Sequence, residues 1–354
     1  MVPYTIVISD AKDHDAGYRG TRAFWWLASR AGSYSELGLY WFLVEYFGRS
    51  AVRLLRPSQL LASSKIETEW LFVGLPTSLS KQHLSRIRFR RMAVYDSTDA
   101  PDVDFGESDR EFLLSETDLC MKTWLDRRWE TDYTVGLLPI KRPPINKLRV
   151  AIRREALLDR VRRRPRDKSF DVALVARPTG DVARNPRVAW LVELQRKRPD
   201  LRLWGGLVGS SRWRRHAAEI VDEEILQRLW MGRRKVGFFE YFAGLSRSKV
   251  SLAPRGWAPW SYRHYEAIYA RSVVVCSDLS DIELLLPLPN EGVIDVREGE
   301  SIVPAVERAL ALYERCPDIG RHNVEHMERW LDRGAYSRSR VELLDRFFSF
   351  LPVA

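Results

Sequence analysis

Between Asp171 and Arg315 the chain alternates short, β-branched apolar runs with longer stretches that carry apolar residues at helical spacing. This alternation constrains the fold more than any other feature. The apolar runs are DVALVA (Asp171–Ala176), LRLWGGLV, KVSLAP, SVVVCSD and GVIDV. Between and after them stand PRVAWLVELQRKRP, VGFFEYFAGLSRS, the segment Tyr262–Ala270 and a segment from Ile302 to Arg315. A strand followed by a helix and a second strand re-enters its sheet from the same end, so such strands lie parallel. Parallel sheets are covered on both faces and gather their ligands outside the carboxyl ends of their strands. The first half shows the same order more faintly, in YTIVIS (Tyr4–Ser9), WLFVG (Trp70–Gly74) and RMAVYD (Arg91–Asp96), with the polar, helix-compatible LSKQHLSRIRF before the last. Between the halves, GLLPIKRPPINK has three prolines and no periodicity, and reads as a surface connection.

The expected fold class is therefore α/β, with two Rossmann-like domains facing across a cleft. The expected boundaries are 1–145 for the first domain, 146–335 for the second, and 336–354 for a C-terminal helix packing back on the first. A chain of 354 residues suits two domains of roughly 100–200 residues each. The 45% of hydrophobic residues suffices for a core in each half and excludes wholesale disorder.

The formal charge of +10, from 57 Lys and Arg against 47 Asp and Glu, favours an anionic partner: nucleic acid, an acidic membrane surface or a phosphorylated small molecule. The basic residues concentrate in Arg86–Arg91, Arg153–Lys168 and Arg212–Arg215, each of which reads first as a solvated face. Cys120, Cys276 and Cys316 are far apart and odd in number, which argues against a disulfide framework and a zinc knuckle and fits a reducing, cytoplasmic setting. No run of about 18 apolar residues occurs, so the expected membrane contact is at most peripheral, at the inner face, through basic segments such as Arg153–Arg166.

The stretch SLAPRGWAPWSYRHYEAIYARSVVVCSD, Ser251–Asp278, carries the most chemistry. A strand, a Pro254-Arg255-Gly256 loop and a helix opening near Ser261 place free N–H groups and a partial positive charge where a pyrophosphate fits. Gly256 permits close backbone approach, and Arg255 and Arg263 offer forked donors to phosphate oxygens. Glu266 lies about one turn beyond Arg263, where a carboxylate accepts from the two hydroxyls of a ribose. Read one residue at a time, the same stretch is an ordinary strand-to-helix turn with an intrahelical Arg263–Glu266 pair.

The run PRGWAPWSYRHYEAIYARSVVVCSDLSDIELLLPL resembles the donor-site signature of exostosin-like glycosyltransferases, in which a PRG loop, a Ser and Arg, an EAI helix and a valine-rich strand follow in this order. NPR...LVELQRKRPDLRLWGG is similar to the C-terminal domain of GT-B enzymes, and YDSTDAPDVDF to the D-x-x-D strand end of the family's first domain. The resemblance covers residues 165–310 well and the first half loosely. It implies a GT-B glycosyltransferase that moves a sugar from a nucleotide-sugar donor to a glycan or lipid-linked acceptor in polysaccharide or glycoconjugate synthesis, with inversion. Residues 1–145 would then hold the acceptor and 146–335 the donor, with Arg177, Arg255, Gly256, Ser261, Arg263 and Glu266 as donor-binding residues. It implies no cofactor and no metal, since arginines and a helix dipole neutralise the leaving diphosphate. One departure stands out: where the family has a small residue or glycine before a VPVI strand, this chain has Ala270-Arg271-Ser272-Val273-Val274-Val275.

An inverting transferase needs a base within reach of the acceptor hydroxyl. Asp10, Asp13, His14 and Asp15 follow the first strand, and Asp96 and Asp99 follow RMAVY; Asp96 and Asp13 are the better candidates, because Asp99 stands in a turn-like Ala100-Pro101 context. Asp13/Asp15 and Asp102/Asp104 have D-x-D spacing, and His322 and His326 stand four apart, but neither set makes a complete ligand group. Trp257 and Trp260, next to the glycine loop, are expected to flank the donor or acceptor, whereas Trp25, Trp26 and Trp41 sit in apolar helical runs and are expected in the core. Two other readings remain, a noncatalytic relative and a nucleic-acid-binding protein; the second predicts steeply salt-sensitive binding, yet no groove-reading motif is present. No nucleic acid is expected as partner.

Overall fold

The computed structural model describes residues 2–7, 39–40, 43–44, 47–55, 59–60, 65–75, 79–96, 102–103, 105, 110–129, 135–137, 167–180, 185–233, 235–256, 258–284 and 287–331. Asp13, the basic segment 153–166, most of the proline-rich connection and the expected C-terminal helix at 336–354 lie outside the described residues. The chain divides into two units, the first drawing its described residues mainly from Met1–Ile152 and Asp281–Pro287, the second from Arg153–Ser280 and Leu288–Glu328.

The strands of the first unit are β1 (Val2–Val7), β2 (Val52–Leu55), β3 (Ile66–Leu75), β4 (Ile87–Asp96), β5 (Leu119–Lys122), β6 (Leu125–Asp126) and β7 (Val135–Leu137). All but β6 form one parallel sheet in the order β2-β1-β3-β4-β5-β7. Successive side chains of a strand point to opposite faces, and here both faces are buried. Trp70, Phe72, Ala93, Tyr95 and Met121 join Ile6 in one core, while Leu71, Val73, Met92, Val94 and Cys120 join Val7 in the other. That is why these strands read as continuous apolar runs. Asp281–Pro287 returns to this unit, where Ile282–Glu283 pairs antiparallel with β6.

The expected helix over LSKQHLSRIRF forms only as one turn, α1 (Lys81–Leu84). From Ile87 onward the chain is already in β4, because IRFR has a period of two: Ile87 and Phe89 pack into the core, and Arg88 and Arg90 point out to Glu67 and Glu69 on β3, at 3.6 and 3.1 Å. β5, which follows α2 (Arg110–Glu116), is a fully buried strand of four residues ending on a lysine.

The second unit runs β8 (Phe170–Ala176), α3 (Pro186–Lys197), β9 (Leu203–Leu207), α4 (Ser211–Ala218), α5 (Glu223–Leu229), α6 (Phe238–Ser246), β10 (Ser248–Ala253), α7 (Tyr262–Tyr269), β11 (Val273–Ser277), then, past β12 (Ile282–Glu283), β13 (Val293–Val296) and α8 (Val303–Arg315), with α9 (Ile319–Leu331) after it. Its parallel sheet has the order β13-β11-β10-β8-β9. In each unit the second strand lies on one side of the first and the later strands on the other. The strand order therefore reverses between β1 and β3, and between β8 and β10. The sequence patterns of α/β strands and helices thus hold in both units, each a Rossmann-like sheet.

α3 shows how local signals set its ends. The Asn185 side chain accepts from the Arg187 N–H at 3.0 Å, Pro186 occupies the first turn, and Arg196 and Lys197 close the last. Val188, Leu191 and Leu194 bury its inner face in the core with Val172, Leu174 and Leu207. Gly205 in β9 has φ +107°, and a Cβ there would stand 2.3 Å from the Leu174 carbonyl oxygen, so the close strand contact requires glycine.

Candidate functional site

In a sheet of this kind the loops after the two strands that flank the reversal diverge and leave a crevice at their carboxyl ends. In the second unit these are the loop after β8, starting at Arg177, and the loop after β10, Pro254-Arg255-Gly256. Asn185 ties the first loop down: while its oxygen caps α3, its Nδ2 donates to the Thr179 carbonyl at 2.8 Å. α3 therefore starts in a fixed place, and its Arg187 guanidinium reaches Gly256. A Cβ at Gly256 would lie 2.3 Å from Arg187 Nη2.

The sequence points to a ligand over Gly256 and does not single out Arg187. The structure puts a guanidinium there, half-buried, at the meeting of both loops. The signal was present in Asn185-Pro186-Arg187: an N-cap and a first-turn proline fix the next residue at the start of a helix. Because the atom displaced is the end of a flexible side chain, Gly256→Ala is expected to move Arg187 with little loss of stability, within about 1 kcal/mol. Any anion binding that uses Arg187 should weaken about tenfold or more, as one charge-assisted hydrogen bond of about 1.5–3 kcal/mol is lost. Urea melts beside a ligand titration separate the two effects, and unchanged binding in a folded variant would contradict the assignment.

After the glycine loop, Ser261 caps α7 with extended backbone, and His264, three residues on, accepts the Ser261 N–H on Nδ1 at 3.1 Å. Histidine here takes the place of the glutamate of a capping box. The ring is 1% exposed, and burial first, then the Arg263 charge, hold its pKa down to about 4 against an outweighed rise from the Ser261 backbone. An unfolded histidine protonates near 6.5. Between those values the unfolded chain binds the extra proton, so stability present above about pH 6.5 is lost as pH falls toward 4, by about 3 kcal/mol in all. Urea midpoints across that range check this, and the slope should flatten in His264→Asn.

Arg263 and Glu266, each half-buried, follow on the same helix. The Tyr241 phenol of α6 is raised above its ordinary value by burial first and then by the Glu266 carboxylate, which also accepts its hydrogen bond, while Arg263 opposes the shift. Tyr241, Arg263 and Glu266 thus share one neighbourhood, which adds an aromatic residue that the sequence did not single out. Trp204 of β9 packs edge-tilted on Tyr241 at 6.2 Å and lies flat on Gly244, holding α6 in place.

The other expected residues are more scattered. Arg177 is exposed at the end of β8. Arg255 turns its guanidinium to Glu298 at 2.8 Å, in an exposed pair, and its N–H to the Ser277 hydroxyl at 2.9 Å. Such a surface pair is weak, so a phosphate competes readily with it. Trp260 is 7% exposed and stands edge-on to Tyr265, which makes it core rather than a flank of the loop. The departure at Ala270–Val275 has a definite form. Arg271 takes φ 59° where glycine is usual, and Arg271 N–H bonds Ile268 O while Ser272 N–H bonds Ala267 O, a Schellman ending. The buried Ser272 hydroxyl secures it by sharing its one proton between Leu245 O at 3.0 Å and Ser248 O at 2.9 Å.

In the first unit Asp96 ends β4 with its side chain fully buried, and Lys122 Nζ donates to it at 2.7 Å and to the Asp102 carbonyl at 3.0 Å. No face of that carboxylate is open to an acceptor hydroxyl. Asp13 lies outside the described residues. Among the described residues no group of three or more His, Cys, Asp or Glu is placed to hold a metal ion, and no helix is long and apolar enough to cross a membrane.

No protein-family model matches the sequence, and no curated protein matches it. Among solved structures the chain is similar to an alpha-glucosyltransferase in complex with UDP-glucose and DNA containing an abasic site, at TM-score 0.49 and 12% identity over 97% of this chain and 98% of that one. It is also similar to OtsA in its apo structure, at TM-score 0.45 and 11% identity over 93% and 85%. A third is the GtfA/B complex, at TM-score 0.43 and 11% identity over 87% of this chain, which spans 60% of that one. All three TM-scores lie below 0.5.

Proposed function

We propose that this chain transfers a sugar from a nucleotide diphosphate to an acceptor hydroxyl of a glycan or lipid-linked saccharide. The observation that carries this reading is the Arg187 guanidinium lying on Gly256 at the strand-order reversal, directly before the helix that bears Arg263 and Glu266. Arginines and a helix N-terminus at that place suit a diphosphate, and a carboxylate one turn on suits a ribose. Arg187 and Arg263, with Arg177 and Arg255 at the rim and Ser261 at the cap, hold the leaving diphosphate. Its charge is met without a metal or a resident cofactor.

In the proposed step a base takes the acceptor hydroxyl's proton, the oxygen attacks the anomeric carbon from the side opposite the diphosphate, and the bond from that carbon to the diphosphate breaks. Asp13, which follows the β1 segment in the sequence, is the proposed base. Asp96, closed off by Lys122, is assigned to holding the ends of β4 and β5 together.

The test is thermal melting of the purified chain with UDP, GDP, ADP, TDP and CMP, with and without a chelator. A ligand that binds only the folded state raises the melting temperature. One nucleotide should stabilise the chain regardless of chelator, and its sugar conjugate should be consumed when acceptor saccharides are added. No response to any nucleotide, together with salt-sensitive binding of DNA or RNA, would overturn the reading.

A further inference from the structure

Several arginines of the second unit are matched to a carboxylate: Arg196 to Asp222, Arg198 to Asp200 and Glu307, Arg202 to Asp171, Arg214 to Glu223, Arg228 to Glu224 and Arg233 to Glu240. Arg212 and Arg215, both exposed on α4, have no carboxylate partner among the described residues. They line one depression of about 510 Å³ with Gly180, Trp213, His216 and Glu219. That volume lies within the roughly 300–1,000 Å³ of sites that enclose a small ligand.

The lining is ordered. Residues three and four apart share a helix face, so Arg212, Arg215, His216 and Glu219 form one wall. Trp213 is half-buried, held below by Gly209, where a Cβ would approach its own Cβ at 3.0 Å, and edge-on to His216 at 6.2 Å. His216 Nδ1 stands 3.2 Å from the Glu219 carboxylate. Gly180, at φ 76° with open space around its Cα, forms the rim from the loop after β8. The depression thus lies between the loop after β8 and α4, the helix that follows the edge strand β9.

We propose that this depression binds an acidic saccharide. Two unmatched guanidinia are forked donors for a carboxylate or sulfate, and an indole face takes the C–H face of a sugar ring. Glu219 at the far end accepts hydrogen bonds from hydroxyls and repels a second anion. That arrangement of cations at one end and a carboxylate at the other separates the site from a nucleic-acid track, which presents one charge sign throughout. Binding at this depression stands independently of the glycosyl-transfer reading. That the bound saccharide is the acceptor rests on it.

Isothermal titration of the whole chain with a galacturonic acid tetrasaccharide and a heparin-derived tetrasaccharide tests the proposal, with maltotetraose and a short single-stranded DNA as comparisons. We expect at least one acidic probe to bind, the neutral one to bind at least tenfold more weakly, and the DNA not to compete. The double variant Arg212→Gln with Arg215→Gln, on exposed positions, should lose binding at least tenfold while its melting temperature and its response to nucleotide stay as in the parent chain. Trp213→Phe should weaken binding severalfold. Absence of binding by both acidic probes, equal binding of maltotetraose, tighter binding of the DNA, or full binding by the double variant would each overturn the proposal. A missing nucleotide response in the parent chain would instead strike the glycosyl-transfer reading and leave this site standing.

Discussion

Lys122→Met is expected to lower the unfolding free energy by about 3–5 kcal/mol, a drop in melting temperature on the order of 10 °C. Lys122 and Asp96 are both 0% exposed and their charged atoms are 2.7 Å apart. They lie side by side in the register of β4 and β5. Without the ammonium, a fully buried carboxylate loses the cation 2.7 Å from it, and the Asp102 carbonyl loses the donor at 3.0 Å. Asp96→Asn should be less severe, because the amide oxygen still accepts from Lys122. The double variant Asp96→Asn with Lys122→Met should recover part of the loss, since a neutral amide beside a thioether carries no buried charge. Urea melts of the four chains form a cycle that isolates the pair. A loss below about 1 kcal/mol in Lys122→Met would mean that water reaches Asp96, and would return it to consideration as a base.

Glu266→Ala is expected to abolish the nucleotide response. Two hydrogen bonds from ribose hydroxyls to a carboxylate, each about 1.5–3 kcal/mol, amount to a hundredfold or more in affinity. At ligand a hundred times its dissociation constant the parent chain gains about 2.7 kcal/mol, and a variant a hundredfold weaker retains only a few tenths. Removal of Glu266 also takes the acceptor from the Tyr241 hydroxyl and should lower the stability of the free chain by about 1–3 kcal/mol, which the ligand-free melt of the variant measures separately. Tyr241, relieved of the carboxylate that helps raise it, should ionise at lower pH, which ultraviolet difference titration against Tyr241→Phe detects. An undiminished melting shift in Glu266→Ala would remove the ribose from this helix and with it the proposed donor geometry.

The strands of the second unit were legible because each is apolar on both faces: DVALVA, KVSLAP and SVVVCSD lie in β8, β10 and β11. The helices between them were legible from their period and, for α3, from Asn185 and Pro186. Where the expectation failed, the pattern was short or shared. LSKQHLSRIRF mixes one helical turn with the outer end of a strand whose arginines face glutamates on its neighbour. LCMK has four residues and ends on a charge, which becomes tolerable in a core only beside Asp96.

What the sequence by itself determined is local: where the chain turns into strand or helix, and that the glycine loop, Arg263 and Glu266 follow one another at the start of a helix. Those properties rest on contacts a few residues apart, and the residues concerned name themselves. What the tertiary structure alone decided is which distant groups meet. The strand order of the sheet places the start of α3 over the loop after β10, and so lays Arg187 on Gly256 and brings Tyr241 to Glu266. The register of β4 and β5 turned Asp96 from a candidate base into half of a buried ion pair. Arg212 and Arg215 differ from Arg214 on the same helix because no carboxylate among the described residues reaches them. Sheet order and register are set by packing between segments far apart in the chain, so no reading of neighbouring residues supplies them.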